Sequence, residues 1–295
     1  MSAFRIPFFA NFCKWLAVFV FLLMLSVVHS VEAATIVVDG TICTLADAIT
    51  AANTNTAAGG CLAGDDAGGF DTIDLQTDVV QTASLPPITQ PTVLNGNDYT
   101  INGDGLNGTA LTVGAGSTIN DLRIINSTTS LSGDDVIINN GDLRNTSLNN
   151  ATINDSIFTG VVNLSDATIN DTVMERELEI LGGTVEVNSS ELREVSISNG
   201  GDLTLNDSTV AGGGMVFRLA TVVLNNSTVR DNLTGRGIRC IEASTLTLNN
   251  STVSGNLEGG IFAEWCTLNL NDSTVSNNMA DLGGGIFASA SLSDV

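Results

Sequence analysis

Apolar and polar residues alternate along most of this chain, and the alternation stops repeatedly at an asparagine. The recurring frame is apolar–x–apolar–Asn–x–x–x–apolar, as in Leu203–Thr204–Leu205–Asn206 followed by Val210. Alternation at a period of two predicts strands rather than helices. An asparagine with an apolar residue directly before it and another four positions after it occurs ten times, at Asn102, Asn120, Asn139, Asn154, Asn170, Asn188, Asn206, Asn225, Asn249 and Asn271.

The copies recur every 15 to 24 residues, and self-similarity of this length is typical of a solenoid. Each asparagine ends one strand, and the apolar residue four positions later starts the next face. We therefore predict an all-β fold, a right-handed parallel β-helix of about ten or more coils, spaced about 4.8 Å apart. Equivalent asparagines would stack and hydrogen-bond as a ladder, although each could instead be a turn residue alone. The coil length varies because one corner accepts insertions, and these predict exposed loops at Asp231–Arg239 and around Asn278–Gly285.

One segment, Thr44–Asn53, has a helical pattern instead, because Leu45, Ala48, Ile49 and Ala52 fall on one helix face. The open end of a β-helix carries unpaired backbone groups that would template other strands. We expect this short helix to cap that end.

The first 33 residues have the features of a secretory signal: charged Arg5 and Lys14, an apolar run from Trp15 to Val28, and a small residue at Ala33. An uncleaved N-terminal anchor is the alternative. We expect a signal peptide at 1–33, a cap module at 34–92 and β-helix repeats at 93–295 that are cut off mid-coil. A C-terminal continuation or a capping partner would then cover the last coil, and we expect no transmembrane domain in the mature chain.

The four cysteines beyond the signal form an even set, which suggests disulfides in an exported chain. A bond between Cys43 and Cys61 would close a glycine-rich loop. Cys240 and Cys266 lie in adjacent coils but about three positions out of register, so the sequence leaves their pairing open.

The N-terminal residues also resemble a known family. The segment Cys43–Thr44–Leu45–Ala46–Asp47–Ala48–Ile49, then Gly59–Gly60–Cys61 and Asp71–Thr72–Ile73–Asp74–Leu75, resembles the CSLREXD-type module of bacterial surface proteins. Ala46 and Asp47 stand where that family usually has Arg and Glu. The last coils, with Gly259–Gly260–Ile261–Phe262 and Gly284–Gly285–Ile286–Phe287, are similar to repeats of polymorphic outer-membrane proteins and autotransporter passengers. The resemblance implies right-handed β-helix repeats and a secreted or bacterial cell-surface location.

Charge limits the function classes. The chain has 10 Lys and Arg against 32 Asp and Glu, a net charge of −22, and such a surface repels nucleic acid. Its only lysine (Lys14) and only histidine (His29) lie in the predicted signal. Polygalacturonases of the β-helix fold use a histidine and a lysine, so that catalytic set is missing, and a lyase would depend on arginine alone. We identify no catalytic residues.

Calcium is the one cofactor that the composition suggests, because Ca²⁺ prefers oxygen ligands. The candidate ligands are Asp65, Asp66, Asp71, Asp74, Asp98 and Asp104. None follows the spacing of a known loop motif, so solvated turns are the alternative. The densest acidic stripe is predicted at Glu175, Glu177 and Glu179, alternating along one strand with Arg176 facing the other way.

These observations predict an exported β-helix that acts as a structural or adhesive display scaffold, without catalysis, and contacts a glycan or a surface protein. The alternative is a polysaccharide lyase or hydrolase of the pectate-lyase-like class. That alternative requires carboxylates and an arginine to converge in one groove.

Overall fold

The computed structural model describes residues 34–65, 70–114, 116–281 and 284–289. The predicted signal segment, 1–33, lies outside the described residues. The first part of the fold consists of β1 (Thr35–Val38), α1 (Leu45–Thr54), β2 (Asp71–Leu75), β3 (Val79–Val80), β4 (Thr92–Asn95), β5 (Thr100–Val113), β6 (Ser117–Asn120), β7 (Arg123–Asp134), β8 (Val136–Asn139), β9 (Asp142–Leu143), β10 (Thr146–Asn154), β11 (Ile157–Phe158) and β12 (Val162–Asn170). The second part consists of β13 (Val173–Ile180), β14 (Thr184–Asn188), β15 (Glu191–Ile197), β16 (Asp202–Asn206), β17 (Thr209–Arg218), β18 (Thr221–Asn225), β19 (Thr228–Arg230), β20 (Ile238–Ile241), β21 (Thr245–Asn249), β22 (Thr252–Ser254), β23 (Ile261–Glu264), β24 (Thr267–Asn271), β25 (Thr274–Ser276) and β26 (Ile286–Ser289).

All the strand pairs between successive coils are parallel, and together they form a β-solenoid of about ten turns. Each strand pairs with the equivalent strand one coil later, for example β16 with β18 and β18 with β21. The prediction of an all-β parallel solenoid is confirmed. Pairing already begins in the predicted cap module, because β1 pairs with β2 and β2 with β4.

The core is a set of aliphatic columns that run along the solenoid axis. Leu205, Leu224 and Leu248 occupy the same register position in successive coils, and all three are buried. Because side chains alternate across a strand, the threonines between the apolar residues point outwards. Each fully buried leucine stabilises the fold by about 1.5–3 kcal/mol relative to exposure.

Helix α1 packs against β1 and β2, as the sequence pattern predicts. Its N-cap is Thr44, whose side chain accepts a hydrogen bond from the Asp47 backbone N–H at 3.2 Å. Its C-cap, Asn55, has a left-handed conformation with φ of 53°. Among the described residues, no helix is both long and apolar enough to cross a membrane.

Both disulfides form. Cys43 and Cys61 have Cα atoms 4.6 Å apart and join the start of α1 to the loop behind it. Cys240 and Cys266 have Cα atoms 5.9 Å apart. Cys240 is in register with Ala263, so the predicted offset of three positions is present. Between Ala263 and Cys266 the chain turns at Trp265, where φ is 56°. Cys240 therefore reaches Cys266 of the next coil across a corner of the solenoid.

Candidate functional site

A column of asparagine side chains runs along one corner of the solenoid. From Asn120 to Asn271, each Nδ2 donates to the Oδ1 of the asparagine one coil earlier, at 2.8–2.9 Å. The column begins at Asn95, which accepts from Asn120 at 2.9 Å. From Asn120 to Asn249, each asparagine is thus both donor and acceptor, which joins the coils at a fixed register.

Asn102 does not lie in this column, which corrects the sequence-based assignment. Its strand pairs with β7, so it faces another side of the coil and accepts from Asn126 at 3.1 Å. Asn95, at the end of β4 and directly after the buried Leu94, was not included in the sequence analysis although it begins the column.

From Asn120 onwards, the left-handed corner residue is the one after each ladder asparagine, not the asparagine itself. Asp155, Asp171 and Asp207 have φ of 50°, 48° and 50° and follow strands that end at the asparagine. Short polar side chains tolerate this conformation best, which explains why Asp and Asn recur there.

A second ladder of hydroxyls lies beside the first and was not anticipated from the sequence. From Asn154 onwards, the residue two positions after each ladder asparagine donates its hydroxyl to that asparagine's carbonyl, as Ser208 does to Asn206 at 2.7 Å. The same oxygen accepts the backbone N–H of the equivalent residue one coil earlier, Ser190, at 3.1 Å. The buried members of this hydroxyl ladder are Ser156, Thr172, Ser190, Ser208, Ser227 and Ser251.

The predicted calcium ligands are dispersed. Asp66 lies outside the described residues. The Asp71 carboxylate accepts the Asp65 backbone N–H at 2.8 Å, and Asp74 accepts from the side chains of Gln76 at 2.6 Å and Asn97 at 2.8 Å. Asp98 and Asp104 have a left-handed backbone conformation, with φ of 63° and 47°. In the described part of the chain, no three His, Cys, Asp or Glu side chains are grouped to hold a metal ion.

Burial affects the chemistry of Asp71. Desolvation raises the pKa of the Asp71 carboxyl, the Asp65 N–H opposes that shift, and the negative charge of Asp65 adds to it. Because a buried carboxylate loses hydration, the charged form is disfavoured in the fold.

The acidic stripe predicted on β13 is interrupted. The register of β13 against β15 shifts between Met174 and Glu177, so Glu175 and Arg176 are both exposed at a bend. Glu177 is in register with Glu194 of the next coil. Desolvation raises the pKa of Glu194, the charge of Glu177 raises it further, and Arg193 opposes both.

One groove does bring carboxylates and an arginine together. Asp98, Asp121, Asp142 and Asp155 line a recess of about 190 Å³ with Arg123. The Arg123 Nε lies 3.0 Å from the Asp142 carboxylate, and Asp121 accepts from the Asn140 side chain at 2.8 Å. Two of the four carboxylates therefore already have protein partners.

The last coils carry a different feature, an apolar ridge on three stacked loops. Leu233, Leu257 and Met279 are 67%, 41% and 59% exposed. Leu257 N–H donates to the Asn232 carbonyl at 3.0 Å and Met279 N–H to the Asn256 carbonyl at 2.8 Å, so the loops stack in register.

Buried asparagines explain why the ridge points outwards. Asn232 and Asn256 turn into the core, and Asn256 donates its side-chain amide to Asn278 at 2.7 Å. The following residue in each loop is thereby directed to the surface. Gly260 leaves room for this arrangement, because a Cβ there would lie 2.7 Å from the Asn278 amide nitrogen.

The ridge borders a groove of about 590 Å³, lined by Arg236, Leu257, Glu258, Met279, Ala280 and Asp281. Arg236 lies over the ring of Phe262, 3.9 Å from its centroid. Phe262 stacks on Phe287 with the ring centroids 5.2 Å apart. Both faces of the Phe262 ring are thus covered, and the groove has an apolar wall and acidic side chains. The first and last of these loops agree with the two insertions that the sequence predicted, but the ridge residues were not singled out from the sequence.

No protein-family model matches the chain. No curated protein matches it either. The resemblance to the CSLREXD-type module therefore stays a prediction, and the chain is described by its fold as a parallel β-solenoid of about ten turns.

Proposed function

We propose that the chain is an exported, non-catalytic scaffold whose solenoid presents an adhesive surface to a protein partner. The observation that carries this proposal is the apolar ridge of Leu233, Leu257 and Met279 beside its groove. Contiguous exposed apolar side chains rimmed by polar residues are characteristic of interaction sites. The two disulfides are compatible with an extracellular protein, since such bonds persist in oxidising compartments.

The groove favours a protein over a glycan. Sugar rings pack their C–H groups on open aromatic faces, but both faces of Phe262 are covered by Arg236 and Phe287. An apolar side chain of a partner could bury itself against Leu257 and Met279. Glu258 and Asp281 would attract a lysine or arginine next to it, and the net charge of −22 would accelerate the encounter.

A phage-displayed random peptide library, selected on the full-length processed protein, tests the proposal. We expect enriched peptides that combine a large apolar residue with a basic one, and loss of their binding to a Leu257→Asp/Met279→Asp variant. Leu219→Asp is the matched control, because Leu219 is also an exposed leucine (57%) but lies at another corner.

A glycan array with polyuronates, run in parallel, separates the outcomes. Two results together would contradict the protein-binding proposal. The wild-type protein would enrich no peptides, and the wild type and the double variant would bind the same glycan equally well.

The second candidate is a carbohydrate-active enzyme, favoured by the groove that unites Asp98, Asp121, Asp142, Asp155 and Arg123. A lyase there would need Arg123 as its base and carboxylates to hold Ca²⁺. Ultraviolet absorbance of unsaturated product from polygalacturonate, with and without Ca²⁺, would detect it. Product formation that Arg123→Ala abolishes would replace the scaffold proposal.

A further inference from the structure

A polar groove on the wall formed by β5, β7 and β10 shares no residue with the apolar ridge or with the groove at Arg123. It has a volume of about 590 Å³, and its described lining residues are all polar or glycine: Asp104, Gly105, Asn107, Asn126, Ser127, Thr128, Arg144 and Asn145. These residues belong to three successive coils, because β5 pairs with β7 and β7 with β10. At the spacing of parallel strands, the groove therefore extends about 10 Å along the solenoid axis.

A bulge in β5 forms one side of the groove. The register of β5 against β7 shifts between Asn102 and Leu106, and Asp104 and Gly105 lie within that shift with φ of 47° and 75°. A bulge bends its strand and redirects the side chains. Asp104 is exposed at this bulge and lines the groove.

Hydrogen bonds between coils fix the other side. The Asn145 side chain donates to the Thr128 carbonyl at 2.7 Å and accepts the Val161 backbone N–H at 3.0 Å. The backbone N–H of Arg144 donates to the Ser130 hydroxyl at 3.0 Å. The exposed Arg144 side chain thus extends from a backbone that is held in place.

Several groups in the groove have hydrogen-bonding capacity that the protein does not use. Neither of the two ion pairs in the described part of the chain includes Arg144 or Asp104, so the two opposite charges share a groove without pairing. Ser127 is 7% exposed, and its hydroxyl has no hydrogen-bond partner among the described residues. Because a buried hydroxyl without a partner is unfavourable, this one indicates a position that a bound molecule completes.

We propose that this groove binds an acidic saccharide, a chain of sugar rings that carry carboxylates. The planar guanidinium of Arg144 matches a sugar carboxylate through two parallel hydrogen bonds. The Asp104 carboxylate accepts hydrogen bonds from sugar hydroxyls, and the exposed carboxamides of Asn107 and Asn126 both donate and accept. A groove about 10 Å long accommodates two linked rings.

Other classes of ligand match this groove less well. An apolar ligand finds no apolar side chain among the described lining residues. A phosphate ester carries more negative charge than a single arginine beside Asp104 balances, and the net charge of −22 repels nucleic acid. A uronate ring has one carboxylate and several hydroxyls, which corresponds to one arginine among several amides and hydroxyls.

Isothermal titration calorimetry of the full-length processed protein tests the proposal, in about 150 mM salt to screen the net charge of −22. The probes are short oligosaccharides of galacturonate, glucuronate, mannuronate and guluronate, each compared with its neutral hexose counterpart and with free glutamate. We expect a uronate oligosaccharide to bind, and its affinity to fall about tenfold to a hundredfold in Arg144→Gln. Arg218→Gln is the matched control, because Arg218 is also exposed but lies at another corner, and it should leave the affinity unchanged.

Nuclear magnetic resonance spectra of the unmodified protein locate the site without a variant. The side-chain amide signals of Asn107, Asn126 and Asn145 should shift on addition of the saccharide, and the backbone amide of Leu257 in the ridge should not. Absence of binding by every uronate would overturn the proposal. So would equal binding of the neutral saccharides, binding of glutamate alone, or an equal loss of affinity in the two arginine variants.

Discussion

The hydroxyl ladder makes a sharp prediction for Ser208→Ala. Ser208 is buried, its hydroxyl donates to the Asn206 carbonyl at 2.7 Å, and the same oxygen accepts the Ser190 N–H at 3.1 Å. The substitution removes one oxygen and leaves the buried Ser190 N–H without its acceptor. An orphaned buried donor costs about 1–3 kcal/mol, so we expect a loss of about 2 kcal/mol in the free energy of unfolding.

Equilibrium urea unfolding, followed by far-ultraviolet circular dichroism, measures this loss. With an m value of about 3 kcal/mol per molar urea, the midpoint should fall by roughly 0.7 M at unchanged m. Ser208→Thr is the matched control, because Thr172 occupies the same position in an earlier coil and makes the same bond to Asn170 at 2.8 Å. A loss below about 0.5 kcal/mol in the alanine variant would refute the reasoning, since a surface hydroxyl contributes no more than that.

Three further predictions concern the cap, the acidic pair and the ridge. Replacing Cys43 and Cys61 by alanine should cost about 3 kcal/mol in chain entropy and raise hydrogen exchange in α1 first; exchange that rises uniformly along the chain would contradict this. The folded pKa of Glu194 is raised, so its stabilising contribution is present below the ordinary glutamate pKa of about 4.3 and is lost as pH rises through the folded pKa. Glu194→Gln should thus stabilise the protein at neutral pH but not at acid pH, as thermal unfolding at both will show, and an equal effect at both would exclude this cause. Gly260→Ala should destabilise by about 1–3 kcal/mol in urea unfolding, because its Cβ would crowd the Asn278 amide, and a neutral result would mean that the loop yields.

Much of the ladder could be predicted from sequence because it depends on local spacing. Residues from Asn120 to Asn271 in the frame all lie in the column. Asn102 fails because it also follows an apolar residue but lies on β5, which pairs with β7 on another side of the coil, and the frame does not distinguish the two sides. A hydroxyl two positions after the asparagine also recurs in the sequence, so a search at that spacing would have found the second ladder.

The candidate interaction site was less accessible from the sequence. The insertions indicated two loops there, but the exposure of Leu257 and Met279 depends on Asn256 and Asn278 turning inwards. Hydrogen bonds between coils determine that these asparagine side chains point inwards, and no local sequence pattern encodes those bonds. The groove at Arg123 likewise joins residues of several coils.

By itself, the sequence determined the strand period, the repeat, the parallel stack and the helix at the cap. These features follow from the spacing of apolar side chains and from the residues at which the backbone must turn. Both are properties of short sequence segments. Only the tertiary structure decided which asparagine begins the column, that Cys240 meets Cys266 across a corner, and which side chains the loops expose. Those outcomes depend on contacts between residues one coil apart. Because the coil length varies, their register is set by packing and hydrogen bonds in three dimensions.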